Sequence, residues 1–597
     1  MKIVTLAMAF GLLVLALGCG GGSMGSGGGS GLTVSLANSS TQVFQGQASV
    51  TVTVNVARTG STGSVTLSVS GLPQGATDTI QSPAAGNSGS VTLGAGTAAA
   101  GTYPLTVTAS DGTVSGTGSL SLTVGAAAVI ASGTNGPFSL AMSTSFQPAE
   151  WDYQFFTLNP SLNPSVATTL GNLGPHHIRL QGISKGVPQG SEGTPSTTWD
   201  FSTLDAITQP VLGLGDHSPE FQIAKAPAFM YVNNDSSQSF QDLTFAQFAG
   251  YAANLVQYYN TPGFMVGSTL YESPAYAANG YKITYWGIYN EPSINNHLDA
   301  AHYTKMYNAL VPAMKTVDSS IKLVGLELCC GSEDWALTFA SNVTAPVDLV
   351  AAHYYSSCNQ KDTDVMLLDT VPGFAASAQT IRTNLATNPA LANIPLWVTE
   401  NNVNADYDAG NNMSACNPGQ TFVTDLRGSS PFFAGWRPYV FSQLGKAGVQ
   451  ALYHWDYDAD KQFGEVDYSS GALQLSYWVD YWLGQTFPAA AGSQLLQYSA
   501  TDDGELETLP VINSDGSVVI LVANHAVNAP SDNNGPGSPR SVLVDVSALG
   551  TFSSGSLLTI DKSTNVSSGP VAAAMTPAAQ MTITLDGYGA AFLTLKP

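Results

Sequence analysis

The alternation of apolar and polar residues changes twice along the chain. Residues 32–125 contain short runs in which every second residue is apolar, such as 51–56 (TVTVNV) and 64–69 (SVTLSV), with turn residues between them. Period-two runs predict short, half-buried strands, and several in succession are typical of a β-sandwich. Residues 485–597 return to this pattern, for example in 517–522 (SVVILV), and predict a second β-sandwich.

Between these two regions, residues 135–484 alternate short apolar segments with amphipathic ones. Apolar residues recur at i, i+3 and i+4 in 245–260, 300–317 and 379–388, which predicts helices. The apolar segments predict eight strands, starting near residues 138, 176, 225, 284, 322, 347, 396 and 451. Eight such units predict a (β/α)8 TIM barrel, in which catalytic side chains lie at the C-terminal strand ends. The predicted fold class is therefore a barrel flanked by two β-sandwiches.

The first residues predict an export signal rather than a part of the fold. Residues 3–17 form a nearly uniform apolar run of 15 residues, and a membrane-spanning helix needs roughly 20. Residues 16–19 (ALGC) resemble the bacterial lipobox, which implies a signal peptide over 1–18 and lipidation of Cys19. The alternative is an ordinary secretory signal followed by a chance cysteine. Residues 19–31 are almost entirely Gly and Ser, which predicts a flexible tether.

The charge of the chain excludes some classes of partner. It has 18 Lys and Arg against 41 Asp and Glu, a formal net charge of −23. Nucleic-acid binding and an electrostatic hold on anionic lipid both depend on clustered Lys and Arg, so we expect neither. Only 10% of residues are charged and 44% are hydrophobic, which is the opposite of a disordered acidic chain. We expect a folded protein whose only membrane attachment is an N-terminal lipid.

Two glutamates fall at the predicted C-terminal ends of barrel strands. The fourth strand runs into Glu291 within residues 284–292 (TYWGIYNEP), and the seventh into Glu400 within 396–402 (LWVTENN). Both carboxyls can therefore project over one pocket, as glycoside hydrolysis requires. One must be protonated to donate to the leaving oxygen, and the other ionised to attack the anomeric carbon. A separation of about 5 Å predicts retention of configuration, whereas roughly 6.5–9.5 Å predicts inversion.

The same segments carry a resemblance to a known family. With Asn-Glu-Pro after strand four and Glu after strand seven, the chain resembles the clan A retaining glycoside hydrolases, and most of all family 39, typified by β-xylosidases. The resemblance covers the barrel, in residues 286–292 (WGIYNEP), 303–318, 322–325 (KLVG), 350–355 (VAAHYY) and 395–400 (PLWVTE). It implies that Glu291 is the general acid/base and Glu400 the nucleophile, and that neither cofactor nor metal is required.

The resemblance also implies several substrate-binding residues. Asn290 corresponds to the family residue that hydrogen-bonds the sugar 2-hydroxyl. Arg179 corresponds to an arginine on strand two, and we expect it to keep a carboxylate ionised. His353 and Tyr355 are expected to line the pocket near Glu400. For His353 and Arg179, a purely structural role is the alternative.

Two further residues are predicted to touch the sugar. Trp455, just after strand eight, offers a ring face on which a sugar can stack, although a place in the core is the alternative. Gln181 stands where family 39 xylosidases usually have a histidine, which leaves the mechanism standing and the xylose preference in doubt. The loop acids Glu272 and Glu465 are expected to be solvated.

Four cysteines remain once Cys19 is assigned to a lipid: Cys329, Cys330, Cys358 and Cys416. They allow three pairings, and because adjacent cysteines seldom bond each other we favour Cys358–Cys416. The sequence contains no CxxC and no histidine pair at ligand spacing, so we predict no metal site.

Together these features predict a retaining glycosidase that hydrolyses O-glycosidic bonds of plant or microbial polysaccharides or oligosaccharides, with β-xylosides as one candidate substrate. The alternatives are a non-catalytic carbohydrate-binding surface protein and a transglycosidase on the same barrel. Residues 32–125 resemble immunoglobulin-like modules of bacterial surface proteins and are predicted to be a spacer, with carbohydrate binding as the alternative. The signal predicts a bacterial lipoprotein on the cell envelope, and the oligomeric state stays open.

Overall fold

The computed structural model describes residues 30–146, 163–182, 188–189, 197–214, 219–294, 298–489, 492–502 and 504–597. The predicted signal peptide, Cys19 and all but the last two residues of the tether lie outside the described residues. Among the helices that are described, none combines the length and apolar character needed to cross a membrane. The chain divides into two compact units, and the barrel belongs to the second, most of which runs from Thr123 to the end.

The first unit is built from two β-sheets. One has the strand order β1-β3-β6-β5, and in the other β4 pairs with β7 and β7 with β8. In β3, Val52, Val54 and Val56 are buried and the residues between them exposed, so the period-two pattern separates two faces of the sheet. The strands are β1 (Gly31–Leu36), β2 (Ser40–Phe44), β3 (Val50–Thr59), β4 (Thr66–Ser70), β5 (Thr77–Gln81), β6 (Ser88–Gly94), β7 (Gly101–Ser110) and β8 (Ser115–Pro137).

Eight parallel strands of the second unit close into a barrel in the order β9-β10-β11-β14-β15-β16-β17-β18. The predicted fold class, a (β/α)8 barrel with β domains before and after it in the chain, is confirmed. The barrel strands are β9 (Ala141–Phe146), β10 (Ile178–Gly182), β11 (Glu220–Ile223), β14 (Tyr285–Ile288), β15 (Lys322–Leu328), β16 (Leu349–Ser357), β17 (Leu396–Asn404) and β18 (Ala451–His454). Two short pairs accompany them, β12 (Phe264–Val266) with β13 (Thr269–Tyr271) and β19 (Asp458–Ala459) with β20 (Val466–Asp467).

The described helices lie between the strands in sequence, and their apolar faces join the core around the barrel. The helices predicted over 245–260 and 300–317 are confirmed, whereas the one predicted over 379–388 starts earlier and ends at Leu385. The helices are α1 (Asn163–Leu173), α2 (Ser202–Gly213), α3 (Ala246–Asn260), α4 (Pro274–Asn279), α5 (Ala300–Val317), α6 (Trp335–Asn342), α7 (Asp364–Asp369), α8 (Val371–Leu385), α9 (Pro431–Lys446) and α10 (Leu475–Thr486).

The third barrel strand lies earlier than predicted. The sequence pattern placed its start near Lys225, whereas β11 spans Glu220–Ile223. The prediction relied on the mostly apolar residues 224–230, which lie beyond the strand and end in a 3₁₀ turn at Ala228–Met230. The strand itself was hard to recognise because two of its four residues are Glu and Gln, and all four are buried.

The C-terminal β domain contains a sheet whose main path is β26-β25-β28-β23-β22-β21-β8-β24-β27. The second half of β8, which lies between the predicted N-terminal sandwich and the predicted barrel, pairs with β21 and β24 of this sheet. The remaining strands are β21 (Gln494–Ala500), β22 (Leu506–Ile512), β23 (Val518–Asn524), β24 (Arg540–Asp545), β25 (Ser554–Asp561), β26 (Ala573–Met575), β27 (Gln580–Leu585) and β28 (Gly589–Lys596).

Helix α9 packs the barrel against this β domain. Most of its residues are buried, and a Cβ atom on Gly435 would lie 2.5 Å from the carbonyl oxygen of Asn524, so only glycine permits this approach. At its C-terminal end Ser442, Gln443 and Lys446 all hydrogen-bond the Glu507 carboxyl on β22. Polar contacts and apolar burial therefore join the two domains along one helix.

The prediction that Glu465 is solvated is wrong, because its side chain is fully buried. Its Oε2 accepts a hydrogen bond from Thr144 Oγ1 at 2.6 Å. Burial, together with the nearby charge of Asp480, raises the pKa of Glu465 well above its usual range. The segment after β18 folds back on itself through the β19–β20 pair and brings Glu465 against Thr144 of β9, which a polar loop sequence does not reveal. Glu272 is half-buried.

Candidate active site

A cavity of about 920 Å³ opens at the C-terminal ends of the barrel strands. Glu291, His353 and Glu400 lie in its wall, Glu291 just beyond the end of β14 and the other two in the middle of β16 and β17. Tyr355 and Trp455 also line it. The structure thus brings both predicted catalytic glutamates and several predicted substrate-binding residues to the end of the barrel where such folds place their active sites.

Glu291 stands on a tightly turned backbone just beyond β14. Tyr289 and Glu291 have φ angles of 71° and 44°, in the left-handed region that non-glycine residues seldom adopt. From this turn the Glu291 carboxyl contacts His353 of β16, whose Nδ1 lies 2.9 Å from Glu291 Oε1. The Glu291 side chain keeps 18% of its surface exposed, so a molecule in the cavity can reach it.

Glu400, in the middle of β17, is more deeply buried. Arg179 Nη1 donates to its Oε1 at 2.8 Å, and the Tyr355 hydroxyl donates to its Oε2 at 2.9 Å. His353 Nδ1 lies 3.6 Å from the same Oε2. Burial raises the pKa of Glu400, and the charges of His353 and Arg179 offset part of that effect. Donors at both oxygens therefore favour the ionised carboxylate.

The two carboxyl groups are close enough to act on one bond. A carboxylate oxygen of Glu291, one of Glu400 and a ring nitrogen of His353 all lie within 4.8 Å of one another. In the barrel order two strands separate β14 from β17, so the carboxyls approach each other across the mouth. This spacing suits the roughly 5 Å of a retaining mechanism, whereas an inverting one needs about 6.5–9.5 Å to accommodate a water molecule.

Arg179, fully buried on β10, links the carboxylates beneath the cavity. Its guanidinium nitrogens lie 2.8 Å from Glu400, 3.5 Å from Glu327 and 3.8 Å from Glu220. Burial alone would lower the pKa of Arg179, but the negative charges of Glu327 and Glu400 raise it, so the guanidinium stays charged. Its Cζ lies 5.8 Å from the centroid of the Trp455 ring. The buried Arg179 guanidinium thus offsets negative charge beneath the cavity and contacts Glu400 directly.

Asn290, just after β14, Gln181, on β10, and Trp455, just after β18, are the other residues that the sequence predicted for the site. Asn290 Oδ1 accepts hydrogen bonds from Arg179 Nη2 at 3.1 Å and from Gln222 Nε2 at 3.0 Å, which fixes the orientation of its amide. Gln181 lies on β10 and pairs in register with Gln222 of β11. The Gln181 side chain lies outside what the structure describes. Trp455 is 7% exposed beside the cavity.

Three buried polar residues of the site were not predicted, namely Glu220, Gln222 and Glu327. Each lies within a short barrel strand, in EFQI of β11 or KLVGLEL of β15. Burial of a charged side chain without a partner is very unfavourable, so a Glu inside an apolar strand is a detectable signal of a polar network. These residues lie inside their strands, whereas the predicted catalytic glutamates follow apolar runs in the sequence.

A disulfide joins Cys358, just after β16, to Cys416, in the segment after β17. This is the pairing that the sequence favoured. Both cysteines line the cavity, and Asn417 Nδ2 donates to the Cys358 carbonyl at 2.7 Å. Cys329, which is buried, and Cys330, which is exposed, are free thiols. The disulfide therefore holds two segments of the cavity rim together.

We expect the double variant Cys358→Ser/Cys416→Ser to lose about 4 kcal/mol of unfolding free energy, because the disulfide spans 58 residues and restricts the unfolded chain. Denaturant titration of the oxidised protein and the variant measures this difference. Cys330→Ser removes an exposed thiol without a crosslink and should leave the unfolding free energy unchanged. Equal stability of the double variant and the unaltered protein would contradict the expectation.

Among the described residues, two groups of side chains have atoms within 4.8 Å of one another, as metal ligands do: Glu291, His353 and Glu400, and His454, Glu465 and Asp480. In the first group Arg179 lies 2.8 Å from Glu400, and in the second Arg437 lies 2.9 Å from Asp480. A guanidinium thus already compensates negative charge in each group.

Several solved structures resemble this chain. A monomeric beta-xylosidase from Caulobacter crescentus CB15 gives a TM-score of 0.54 at 14% identity, covering 79% of this chain and 99% of that one. The GH51 arabinofuranosidase from Xanthomonas axonopodis pv. citri gives 0.54 at 12% identity, with 79% and 99% covered. The alpha-L-arabinofuranosidase from Thermotoga maritima gives 0.54 at 13% identity, with 79% and 100% covered. At these identities the likeness shows the fold.

Sequence comparison gives a shorter match. A beta-xylosidase from Geobacillus stearothermophilus is 29% identical over 127 residues, which are 19% of this chain and 25% of that protein. The chain therefore spans about a quarter of the length of that curated relative. No family model matches the chain.

Proposed function

We propose that this protein is a retaining glycoside hydrolase that cleaves O-glycosidic bonds by double displacement. The observation that carries the proposal is the approach of the Glu291 and Glu400 carboxyls to within 4.8 Å at the wall of one cavity. In the first step Glu400 attacks the anomeric carbon while Glu291 protonates the leaving oxygen, and a glycosyl ester forms. In the second step Glu291 takes a proton from water, whose oxygen displaces Glu400.

The surroundings of the two glutamates support these roles. Arg179 and Tyr355 hold the Glu400 carboxylate by hydrogen bonds to its two oxygens, which orients it for attack. Asn290, fixed by Arg179, is proposed to bond the sugar 2-hydroxyl, an interaction that strengthens in the transition state. Trp455 offers an aromatic face beside the cavity.

β-Xylosides are the first substrates to test, because the sequence match is to a beta-xylosidase and one structural neighbour carries the same name. Arabinofuranosides come second, because two other neighbours are arabinofuranosidases. Gln181, which stands where the resembling family has histidine, is the reason that the panel must extend beyond xylose.

A panel of nitrophenyl glycosides tests the proposal, with proton NMR used to identify the anomer that is released first. We expect hydrolysis of at least one glycoside and a first product with the configuration of the substrate. First release of the opposite anomer would contradict double displacement. Binding of glycans without hydrolysis over long incubation would instead favour a carbohydrate-binding protein, and a Glu291→Gln/Glu400→Gln variant controls for contaminating enzymes.

We also propose that the protein is an exported lipoprotein, on the support of the apolar run, the ALGC segment and the Gly/Ser tether in residues 1–31. Expression in a bacterium with a labelled fatty acid should give a labelled, membrane-associated protein. Cys19→Ser should lose the label and be released from the membrane fraction. Equal labelling of this variant would contradict lipidation at Cys19.

A further inference from the structure

Glu327, at the C-terminal end of β15, has no role in the two-carboxyl mechanism, yet its side chain is fully buried next to the proposed active site. Its Oε2 accepts a hydrogen bond from Thr399 Oγ1 at 2.6 Å. The same oxygen lies 2.9 Å from His353 Nε2 and 3.5 Å from Arg179 Nη2. Against the effect of burial, Arg179, His353 and Thr399 lower the pKa of Glu327, so that it is ionised.

The backbone of β15 is distorted at this residue. Leu326 and Glu327 have φ angles of 74° and 46°, and the pairing of β15 with β16 shifts register between Gly325 and Leu328. The Leu326 amide donates instead to the Tyr303 hydroxyl at 2.6 Å. Such bulges redirect side chains, and left-handed backbone at non-glycine residues is concentrated at functional sites.

Space for the Glu327 carboxyl depends on a glycine of the neighbouring strand. A Cβ atom on Gly287 would lie 3.0 Å from Glu327 Oε1 and 2.8 Å from Gln222 Cγ. The pairing of β16 with β17 also shifts register at Ala352 and His353. Glu291, His353 and Glu327 therefore all stand on irregular backbone, and these irregularities bring the three side chains into one row.

His353 is the centre of this row, because each of its ring nitrogens faces a carboxyl oxygen. Nδ1 lies 2.9 Å from Glu291 Oε1, and Nε2 lies 2.9 Å from Glu327 Oε2. An ionised carboxylate only accepts hydrogen bonds, and a neutral imidazole carries a single N–H. Each of the two contacts needs a proton between its nitrogen and oxygen. The row consequently holds two protons, one more than a neutral imidazole with two carboxylates provides.

We propose that Glu327 is a positioning residue that keeps a proton on the His353–Glu291 pair, ready for donation to the leaving group; this rests on the proposed glycosidase function. The proton is shared by His353 Nδ1 and the Glu291 carboxyl. It passes to the glycosidic oxygen as the C–O bond breaks and Glu400 bonds to the anomeric carbon. The water that later displaces Glu400 returns a proton to the pair. Between the steps, Glu327 still holds the N–H at Nε2.

The carboxyl groups around His353 act together on the pKa of its ring. Burial tends to lower its pKa, but Glu400, Glu291 and Glu327 together raise it to about 10. The charge of Arg179 is already opposed by its carboxylate neighbours, and burial raises the pKa of the Tyr355 hydroxyl, which stays neutral. Among the described residues, Glu291, Glu327, Glu400 and Cys330 interact with His353, and Arg179 and Tyr355 contact the Glu400 carboxyl behind them.

The first test is the pH dependence of kcat/KM in Glu327→Gln. Loss of a negative charge 2.9 Å from the imidazole lowers the proton affinity of the His353–Glu291 pair. We therefore expect the basic limb of the profile to move to lower pH by about 1–3 units. Glu327→Asp, which keeps the charge, should bring the limb back towards its original position. A general loss of packing would lower the rate at every pH and leave the limb in place.

Glu220→Gln is the matched control for this experiment. Glu220 is also a fully buried acid beside Arg179, at 3.8 Å. Burial and the charge of Glu327 raise the pKa of Glu220 well above its usual range, so it is already neutral and Gln preserves that state. We expect its basic limb to stay where it is in the unaltered protein. A shift as large as that of Glu327→Gln would overturn the specific role of Glu327.

The second test does not require turnover. The chain has eight histidines, and nitrogen-15 NMR with His353→Asn for assignment follows the His353 ring directly. We expect His353 in the unaltered protein to lose its charge well above pH 6.5 and to do so at lower pH in Glu327→Gln. Titration near 6.5 in the unaltered protein, or no change in the variant, would overturn the proposal even if glycosidase activity is found. Absence of any glycosidase activity would refute the proposed function, and the titration would still decide the protonation of the row.

Discussion

Glu400→Ala should lower kcat on an activated aryl glycoside by about 10⁴- to 10⁶-fold, the scale seen when a covalent nucleophile is removed from an enzyme. The Arg179 and Tyr355 donors would remain, but the side chain that bonds to the anomeric carbon would be gone. Steady-state kinetics of the purified variant measures the effect. Glu333→Gln is the matched control, because Glu333 lines the same cavity but contacts Ser377. That variant should retain most of the activity.

Azide should restore part of the activity of Glu400→Ala, because the truncated side chain leaves space for a small anion. Its nitrogen would attack the anomeric carbon while Glu291 protonates the leaving oxygen. The product would be a glycosyl azide of inverted configuration. Normal turnover by the variant, or a glycosyl azide of retained configuration, would refute the assignment of Glu400 as nucleophile.

Glu291→Ala should act differently on the two chemical steps. With a poorly activated leaving group, loss of the general acid should slow cleavage by about 10²- to 10⁴-fold. A dinitrophenyl glycoside needs no proton on its leaving group, so its cleavage should remain fast while hydrolysis of the glycosyl ester becomes slow. A burst of dinitrophenol followed by slow turnover is therefore expected in stopped-flow measurements.

Azide should accelerate the slow phase of Glu291→Ala, because it attacks the glycosyl ester without a general base. The azide product should now keep the configuration of the substrate, opposite to the product of Glu400→Ala. The comparison of leaving groups is an internal control, since misfolding would lower all rates equally. Equal slowing for every leaving group, without a burst, would contradict the role of Glu291.

The parts of the site that sequence could predict are those that follow directly from strand order. Glu291 and Glu400 could be predicted because each follows an apolar run in an eight-strand pattern, and parallel barrel strands bring their C-terminal ends to one mouth, although β17 continues past Glu400 to Asn404. The helices over 245–260 and 300–317 were found because their apolar spacing is regular. These features depend on local periodicity and on topology, both of which are visible in the sequence.

The parts that sequence could not predict depend on backbone irregularities and on contacts between distant strands. Glu327 reaches His353 only because β15 shifts its register, and a bulge has no reliable sequence signal. The start of β11 was predicted too late in the chain because Glu220 and Gln222 interrupt its apolar pattern. Glu465 was assigned to solvent because the return of its loop to Thr144 is a contact across 321 residues.

The burial of α9 has a consequence for the evolution of this chain. A domain can be transferred by recombination into another protein only if it and the domain it leaves both remain soluble once they are separated. Removal of the C-terminal strands would expose the apolar faces of α9 and would leave Lys446 without the Glu507 carboxylate. The barrel and the C-terminal β domain should therefore be inherited together, as one unit of recombination, and not exchanged as separate modules.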